Sequence, residues 1–206
     1  MRERGGIMTK TLVAIALGVL VLPTVAVAQE WTERHNDNGI QVWTASFGES
    51  RYKQFKGTAV IDGALDDVLA VVTDVEQYEA WFPNTPDARL LDHTDNVFTY
   101  YIVTDLPWPV TSRDTVYQYR LARTGDGAIL TVSVTPDGYP EQDGLVRVQA
   151  SSGQWTFTSV EGGTQVTWQL HFDPNGSIPA WLANTGVVNT PAEMLAALRS
   201  HVAAIQ

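Results

Sequence analysis

Residues 173–182 read Asp-Pro-Asn-Gly-Ser-Ile-Pro-Ala-Trp-Leu, and this stretch decides how the chain is organised. The residues before it alternate between apolar and polar as a strand does, and those after it recur at helical spacing. Asp-Pro-Asn-Gly is typical of a turn, because Asn and Gly tolerate left-handed backbone and Pro interrupts a sheet ladder. The stretch therefore predicts the point where a sheet ends and a closing helix begins.

A long series of strands precedes this turn. Each is a short run of β-branched, aromatic or alternating residues bounded by Gly, Pro, Asn or Asp. No strand-helix alternation follows the early helices, so the sheet is predicted to be antiparallel. The predicted strands are Ile40–Ala45, Tyr52–Ile61, Ala88–His93, Val97–Thr104, Thr115–Arg123, Ala128–Thr135, Leu145–Ala150, Trp155–Val160 and Thr164–Phe172.

Two short helices are predicted between the second and third strands. Asp62 is positioned to cap the first, whose apolar residues from Leu65 to Val72 recur at helical spacing. The second begins at Thr73-Asp74 and ends near Trp81-Phe82-Pro83. Helices inserted early and a helix at the end, all serving one sheet, indicate an α+β domain.

The closing helix has an apolar stripe along one side. Thr190-Pro191 offers two alternatives: Pro191 bends one long helix, or Thr190 caps a second helix that starts there. In either case the end of the chain is expected to lay its apolar face on the sheet. The stripe consists of Met194, Leu195, Leu198, Val202 and Ile205.

The N-terminal residues have the pattern of a secretory signal peptide. Arg2, Arg4 and Lys10 precede an apolar run that ends in Ala26-Val27-Ala28, a small-residue cleavage pattern. We therefore predict a signal peptide at residues 1–28, cleaved after Ala28, and one domain over residues 29–206 that is secreted through the inner membrane to the periplasm. The alternatives are a retained membrane anchor and a start at Met8.

Charge and cysteine content exclude several classes of function. The net charge is −10, and loss of the predicted signal peptide makes it −12, which disfavours nucleic acid as a partner. The chain has no Cys and four scattered His, so no disulfide, metal site or cofactor is expected. We expect a soluble monomer.

A second string, residues 106–114, reads Leu-Pro-Trp-Pro-Val-Thr-Ser-Arg-Asp. Together with Gly-Ser-Ile-Pro-Ala-Trp-Leu at residues 176–182, it resembles the START family of steroidogenic-acute-regulatory-related lipid-transfer domains, part of the helix-grip superfamily. The resemblance covers Trp31–Gln206. It implies a curved antiparallel sheet wrapped around a long C-terminal helix, with an internal apolar cavity entered between that helix and the Trp108 loop.

The resemblance also implies a function without catalysis: binding of one lipid and its transfer between membranes. A domain that keeps a cavity gains stability from a filler, and each buried methylene of a lipid contributes about 0.8 kcal/mol. The expected ligand is a phospholipid, fatty acid, sterol or hopanoid. Transient contact with a membrane surface is expected, driven by burial of aromatic side chains rather than by charge.

Nine residues are predicted to contact the lipid. In sterol-binding relatives an acidic and a basic residue lie in the cavity, and an ungapped placement from Arg113 puts Tyr100 and Tyr119 at those positions. Trp108, held between two prolines, can project to the rim, and Arg113 can pair with Asp114 in a purely structural role. Ordinary core packing is the alternative for the aromatic residues. The nine are Tyr100, Trp108, Arg113, Tyr119, Trp181, Leu182, Met194, Leu195 and Leu198.

Two other functions stay open. Polyketide aromatase/cyclases share the helix-grip shape, and that chemistry would need a general acid or base in the cavity, such as His93, His171 or a tyrosine. The second alternative is a protein-interaction module whose cavity is closed. No nucleophile elbow, phosphate loop or dinucleotide fingerprint occurs in the sequence, so no catalytic residue is predicted.

Overall fold

The computed structural model describes residues 29–176 and 178–206, which form ten strands and three α-helices. The predicted signal peptide lies outside these residues. The elements are β1 Thr32–Asp37, β2 Ile40–Ala45, β3 Gln54–Ile61, α1 Leu65–Thr73, α2 Tyr78–Trp81, β4 Asp87–Thr94, β5 Val97–Thr104, β6 Arg113–Thr124, β7 Gly127–Val134, β8 Val146–Arg147, β9 Ala150–Val160, β10 Gly163–Asp173 and α3 Ala180–Ile205, with 3₁₀ turns at Val75–Gln77 and Pro136–Gly138.

Nine of the ten described strands form an antiparallel sheet in the order β1-β2-β3-β10-β9-β7-β6-β5-β4, and the short β8 pairs with β6. β3 and β10 pair along their whole overlap, from Thr164 opposite Ile61 to His171 opposite Gln54. The early strands are thereby joined to the last strand at an internal seam of the sheet. α3 packs on β2 and β3, so the α+β class and the helix-grip arrangement are confirmed.

The sequence predicted most strands closely but missed β1. This strand, Thr-Glu-Arg-His-Asn-Asp, is mostly exposed at the sheet edge and has no apolar alternation. It forms a hairpin with β2 through Asn38-Gly39, both with positive φ. Asn-Gly is a strong hairpin signal, and it was the available clue.

The predicted strand Leu145–Ala150 is wrong in extent and direction. Only Val146 and Arg147 pair, as β8, and they run parallel to the start of β6. Ala150 already belongs to β9, opposite Asp173. The segment before β8 packs on the outer face of the sheet, where Tyr139 and Leu145 contact the cluster of Tyr101, Val103 and Val116. After crossing this face, the chain enters β8 in the same direction as β6.

The helical predictions were right in place and wrong in their caps. α1 begins at Leu65 with Ala64 as its N-cap and no side-chain cap, so the Asp62 cap is wrong. In place of a cap, the negative charges of Asp66 and Asp67 in the first turn stabilise the helix, because they interact favourably with the positive end of its dipole. α3 is one helix that contains Pro191, so the two-helix alternative and the Thr190 cap are also wrong.

Candidate functional site

Aromatic side chains line the inner face of the sheet. Tyr100 of β5 packs edge-on against Tyr119 of β6, with 4.8 Å between ring centroids. Trp155 of β9 stacks on Trp168 of β10 with 4.7 Å between centroids. All four are buried in the main core cluster. The structure thus brings the two predicted tyrosines together, whereas sequence reasoning missed the two tryptophans, whose alternation with Phe157 and Leu170 was the available signal.

The tyrosine hydroxyls in this interior are neutral. The Tyr100 hydroxyl donates to the backbone carbonyl of Thr73 at 2.8 Å, and the Tyr78 hydroxyl donates to that of Val72 at 2.6 Å. Burial raises the pKa of the Tyr100 phenol, and it raises the pKa of the Tyr119 phenol as well. Both phenols therefore stay protonated at neutral pH and present O–H groups to the interior.

The second half of α3 covers this aromatic wall. Met194, Leu195 and Leu198 are fully buried and belong to the same core cluster, as their predicted place on the helix requires. The helix approaches β3 closely at Gly57, where an added Cβ would lie 3.1 Å from both Leu195 Cδ1 and Pro191 Cβ. Glycine at this strand position therefore lets the helix settle on the sheet.

The first half of α3 is packed far more loosely. From Trp181 to Thr190 no side chain is buried, whereas buried residues recur from Pro191 onward. Trp181 is 72 % exposed, and Leu182 is half-buried. Polar contacts hold this end: the backbone N–H of Lys53 donates to Asn184 Oδ1 at 3.0 Å. The C-terminal half of the helix is therefore anchored by buried side chains. The N-terminal half, Trp181–Thr190, buries no side chain and is lightly seated on the sheet.

Arg113 binds backbone carbonyls and not Asp114. Its Nε donates to the carbonyl of Pro174 and its Nη2 to that of Asn175, both at 3.0 Å, and Nη1 donates to the carbonyl of Thr111. Burial lowers the pKa of its guanidinium. Arg113 therefore ties the loop that follows β5 to the turn that precedes α3.

Asp114 forms a buried ion pair with Arg147 on the other face of the sheet. The two side chains make a bidentate pair, with N–O distances of 2.7 and 3.1 Å. Arg147 also donates to the carbonyls of Pro136, Tyr139 and Pro140 and so fixes the segment before β8. The predicted Arg113–Asp114 pair is wrong, because consecutive residues of a strand point to opposite faces.

Trp108 projects from the loop after β5. Its side chain is 92 % exposed, and the loop is held by a hydrogen bond from Ser112 Oγ to Asp105 Oδ1 at 2.8 Å. Because Arg113 bonds both this loop and the turn before α3, Trp108 and Trp181 belong to segments joined at one end of the molecule. Neither tryptophan lines the buried interior.

His93 and His171, the two histidines considered as an acid or base, do not reach the interior. His171 faces away from Trp168 and Leu170, its ring stacks on Phe47, and a ring nitrogen lies 3.1 Å from Ser50 Oγ. His93 is exposed at the sheet edge. In the described part of the chain no group of three or more His, Asp or Glu is arranged to hold a metal ion.

Two clefts formed by described residues lie outside the region between the sheet and α3. The larger, about 420 Å³, lies along the segment Pro136–Glu141 beside Arg147. The other, about 360 Å³, lies between the start of α1 and the β6–β7 turn. The interior itself is filled by the packed side chains of the main core cluster.

Comparison with known proteins places the chain among lipid-binding domains. The START domain profile matches residues 20–206. An uncharacterised protein of Pseudomonas aeruginosa is 33 % identical over 197 residues, covering 95 % of this chain and 96 % of that protein. The mouse phosphatidylcholine transfer protein is 23 % identical over 183 residues, covering 84 % and 85 %.

Solved structures agree with this placement. The STAR-related lipid transfer protein from Xanthomonas axonopodis superposes with a TM-score of 0.79 at 38 % identity, covering 84 % of this chain and 98 % of that one. An aromatase/cyclase from Streptomyces shares the fold alone, with a TM-score of 0.55 at 16 % identity over 72 % and 92 % of the two chains. None of the described helices has the length and apolar content to span a bilayer.

Proposed function

Because this chain belongs to the START domain family, we propose that it binds a single lipid between the sheet and α3 and transfers it across the periplasm. The interior it would use is apolar and aromatic, which suits a hydrophobic ligand. Catalysis is not part of the proposal, because the buried carboxylate and histidine among the described residues, Asp114 and His171, lie on the face of the sheet opposite Tyr119 and Trp168.

The uneven seating of α3 is the observation that carries this proposal. Its second half is buried against β2 and β3, while its first half buries no described side chain. Regions that open for ligands are drawn from the least stable parts of a fold. Gly186 lies within this lightly seated half, and Pro191, which removes one helical hydrogen bond, marks its end. The first half of α3 is the part that would lift to admit a lipid.

Trp108 and Trp181 provide the contact with a membrane in this proposal. Both are large, exposed and carried by segments that Arg113 joins. Indole rings favour the membrane–water interface because they combine an apolar body with one N–H donor. Insertion of both rings would place the opening half of α3 against the bilayer. The site of action we propose is the periplasm, on the signal-peptide pattern of residues 1–28.

Lipid loading and transfer test the proposal directly. Native mass spectrometry of protein purified from the periplasm of its own organism should show an added mass that lipid extraction identifies. The protein should also move a fluorescent phospholipid or sterol between vesicles. Protein that carries no lipid and extracts none from vesicles would refute lipid binding, and loaded protein without transfer would refute the transfer step alone.

A substitution in the lightly seated half of α3 gives a matched test. Leu182→Gln places a polar group at the proposed opening, so loading should fall severalfold while the folded far-UV spectrum is retained. Leu90→Gln is the control, because Leu90 is an exposed residue of edge strand β4. Equal loading of the two variants would show that the opening lies elsewhere.

The filled interior favours a second candidate, a protein-interaction module that keeps its cavity closed. That candidate predicts that the protein neither takes up lipid nor changes its α3 signals when vesicles are added. The same vesicle experiment therefore separates the two. A cyclase would instead need an acid or base at the inner face of the sheet, whereas the buried Asp114 and His171 lie on the opposite face.

A further inference from the structure

Three buried indole N–H groups have no hydrogen-bond partner among the described residues. They belong to Trp81 of α2, Trp155 of β9 and Trp168 of β10. Each of the three side chains is at most 8 % exposed, and all belong to the main core cluster. Buried polar groups in folded proteins are nearly always paired, so three unpaired donors of one type in one core require an explanation.

Two of these donors lie side by side on the inner wall of the sheet. Trp155 and Trp168 are opposite each other on β9 and β10, and their rings are nearly parallel, at 10°. The Trp155 indole lies close to the Tyr119 phenol, although no hydrogen bond of normal geometry joins them. The two tryptophans and Tyr119 therefore form a small group of neutral donors inside an otherwise apolar core.

Of the buried ionised side chains in the described part of the chain, Arg113 lies on the inner face of the sheet, at the start of β6, whereas Asp114 and Arg147 lie on the outer face. The buried ionised side chains, Arg113, Asp114 and Arg147, are all occupied with backbone carbonyls or with one another. An ionised carboxylate or phosphate beside Trp155 and Trp168 would lose its hydration without gaining a free cation, because Arg113 is already bonded to carbonyls of two loops, and such burial is costly. A carbonyl, ester or hydroxyl oxygen would instead accept the hydrogen bonds that the indoles leave unused.

We propose that the bound molecule is an uncharged lipid with at least one acceptor oxygen, and that the indole N–H groups of Trp155 and Trp168 donate to this oxygen. This inference rests on the proposed lipid binding and specifies the ligand's chemical class. The closed state leaves the two donors unpaired, and the ligand pairs them on entering beneath α3. Pairing favours the loaded state over the empty one for oxygen-bearing guests only.

Competition among ligands of equal chain length tests the recognition of oxygen. Methyl oleate, oleyl alcohol, sodium oleate and the corresponding hydrocarbon alkene are each used to displace a bound fluorescent sterol. Methyl oleate and oleyl alcohol should bind about tenfold more tightly than the alkene, the effect of pairing a buried donor. Oleate should bind more weakly than its methyl ester. An alkene that competes equally well, or a preference for the anion, would overturn the proposal.

Substitutions locate the donors. Trp155→Phe and Trp168→Phe remove the N–H and retain an aromatic ring. In each variant the ratio of the affinity for methyl oleate to the affinity for the alkene should fall towards one. Trp43→Phe is the control: Trp43 lies on β2, where its ring contacts Lys56 with 4.9 Å from the ammonium to the ring centroid, and it is absent from the core cluster. If this affinity ratio is unchanged in both core variants, the ester oxygen accepts its hydrogen bonds from other groups and the proposal is wrong.

The indole proton signals of the unaltered protein give a measurement independent of mutant folding. On addition of methyl oleate the Trp155 and Trp168 Nε1–H resonances should move downfield, as hydrogen bonding requires, and the alkene should leave them nearly unchanged. Equal signals with both ligands would mean that water or protein satisfies the indoles, and the proposal would fail. Failure of every ligand, including the sterol probe, would instead refute lipid binding itself.

Discussion

Arg113 and Asp114 are neighbours in β6, yet they do unrelated work on opposite faces of the sheet. Arg113 donates hydrogen bonds to carbonyls of two loops, the one after β5 and the one before α3. Asp114 neutralises Arg147, which in turn holds three carbonyls of the segment before β8. The strand pleat separates the two side chains, so their adjacency in sequence carried no information about pairing.

Loss of the Asp114 carboxylate should destabilise the fold severely. Asp114→Ala leaves the buried Arg147 guanidinium without its counter-ion, which costs about 3–5 kcal/mol. The free energy of unfolding in urea measures it. Asp87→Ala is the control, since Asp87 pairs with the exposed Arg89 at 2.5 Å and exposed ion pairs contribute little to stability. Equal losses for the two variants would contradict the role assigned to burial.

His171 should make stability depend on pH below neutrality. Burial lowers the pKa of its imidazole in the folded state, with Asp173 acting weakly in the opposite direction. Between pH 7.5 and 5.5 the unfolded chain takes up the proton first, near its ordinary pKa of about 6.5, so the free energy of unfolding should fall as pH falls. His171→Gln should flatten this slope. An identical slope in the variant would assign the dependence to other groups.

At the scale of the element, α3 is two functional segments within one continuous helix. Propensity and periodicity predicted its extent and its apolar stripe, including three fully buried residues, Met194, Leu195 and Leu198. The prediction that Ile205 belongs to the buried stripe was wrong, because this residue is 59 % exposed at the end of the helix. Propensity and periodicity left open whether the helix runs through Pro191, because local patterns do not show that this residue packs against Gly57 of β3.

Hydrogen exchange should reveal the two segments. Amide protons from Leu182 to Thr190 should exchange at least tenfold faster than those from Leu195 to Val202, because only the second segment is locked by buried side chains. Loading with lipid should slow the first segment preferentially. Uniform exchange along the helix, with or without lipid, would contradict the opening that we propose.

A pair of truncations separates the segments energetically. Leu198→Ala removes a fully buried side chain and should cost about 2–5 kcal/mol. Leu182→Ala, in the lightly seated segment, should cost less than half as much. Thermal unfolding followed by circular dichroism compares them, and a larger loss for Leu182 would reverse the assignment of anchor and opening.

At the scale of the whole molecule, the exposed tryptophans set one end of the domain apart. Trp108→Ser with Trp181→Ser should slow lipid transfer between zwitterionic vesicles severalfold while leaving the unfolding midpoint unchanged, because both side chains are largely solvent-exposed. Ile205→Ser is the control, since it removes an exposed apolar side chain at the opposite end of α3. Equal rates in the double variant and the control would exclude these rings from membrane contact.

Sequence reasoning recovered the architecture better than the site. Alternating residues and turn signals are local, so strands such as β2 and β5 were predicted with the bounds that the structure shows. Two carbonyl partners of Arg113, those of Pro174 and Asn175, lie 61 and 62 positions away, and no local pattern encodes them. The indoles of Trp155 and Trp168 were overlooked for the same reason, because an unpaired donor becomes visible only when all its neighbours are known.

The seam between β3 and β10 has a consequence for the timing of folding. The Thr58 hydroxyl donates to the carbonyl of Val166, 108 positions later in the chain, so the sheet cannot be completed until nearly the whole polypeptide has been synthesised. Long-range pairings of this kind slow folding, since a large loop must close before any contact rewards it. A nascent chain halted before residue 163 would leave one edge of β3 without the hydrogen-bond partners that β10 supplies, so the sheet would stay divided into two parts until the last strand is synthesised.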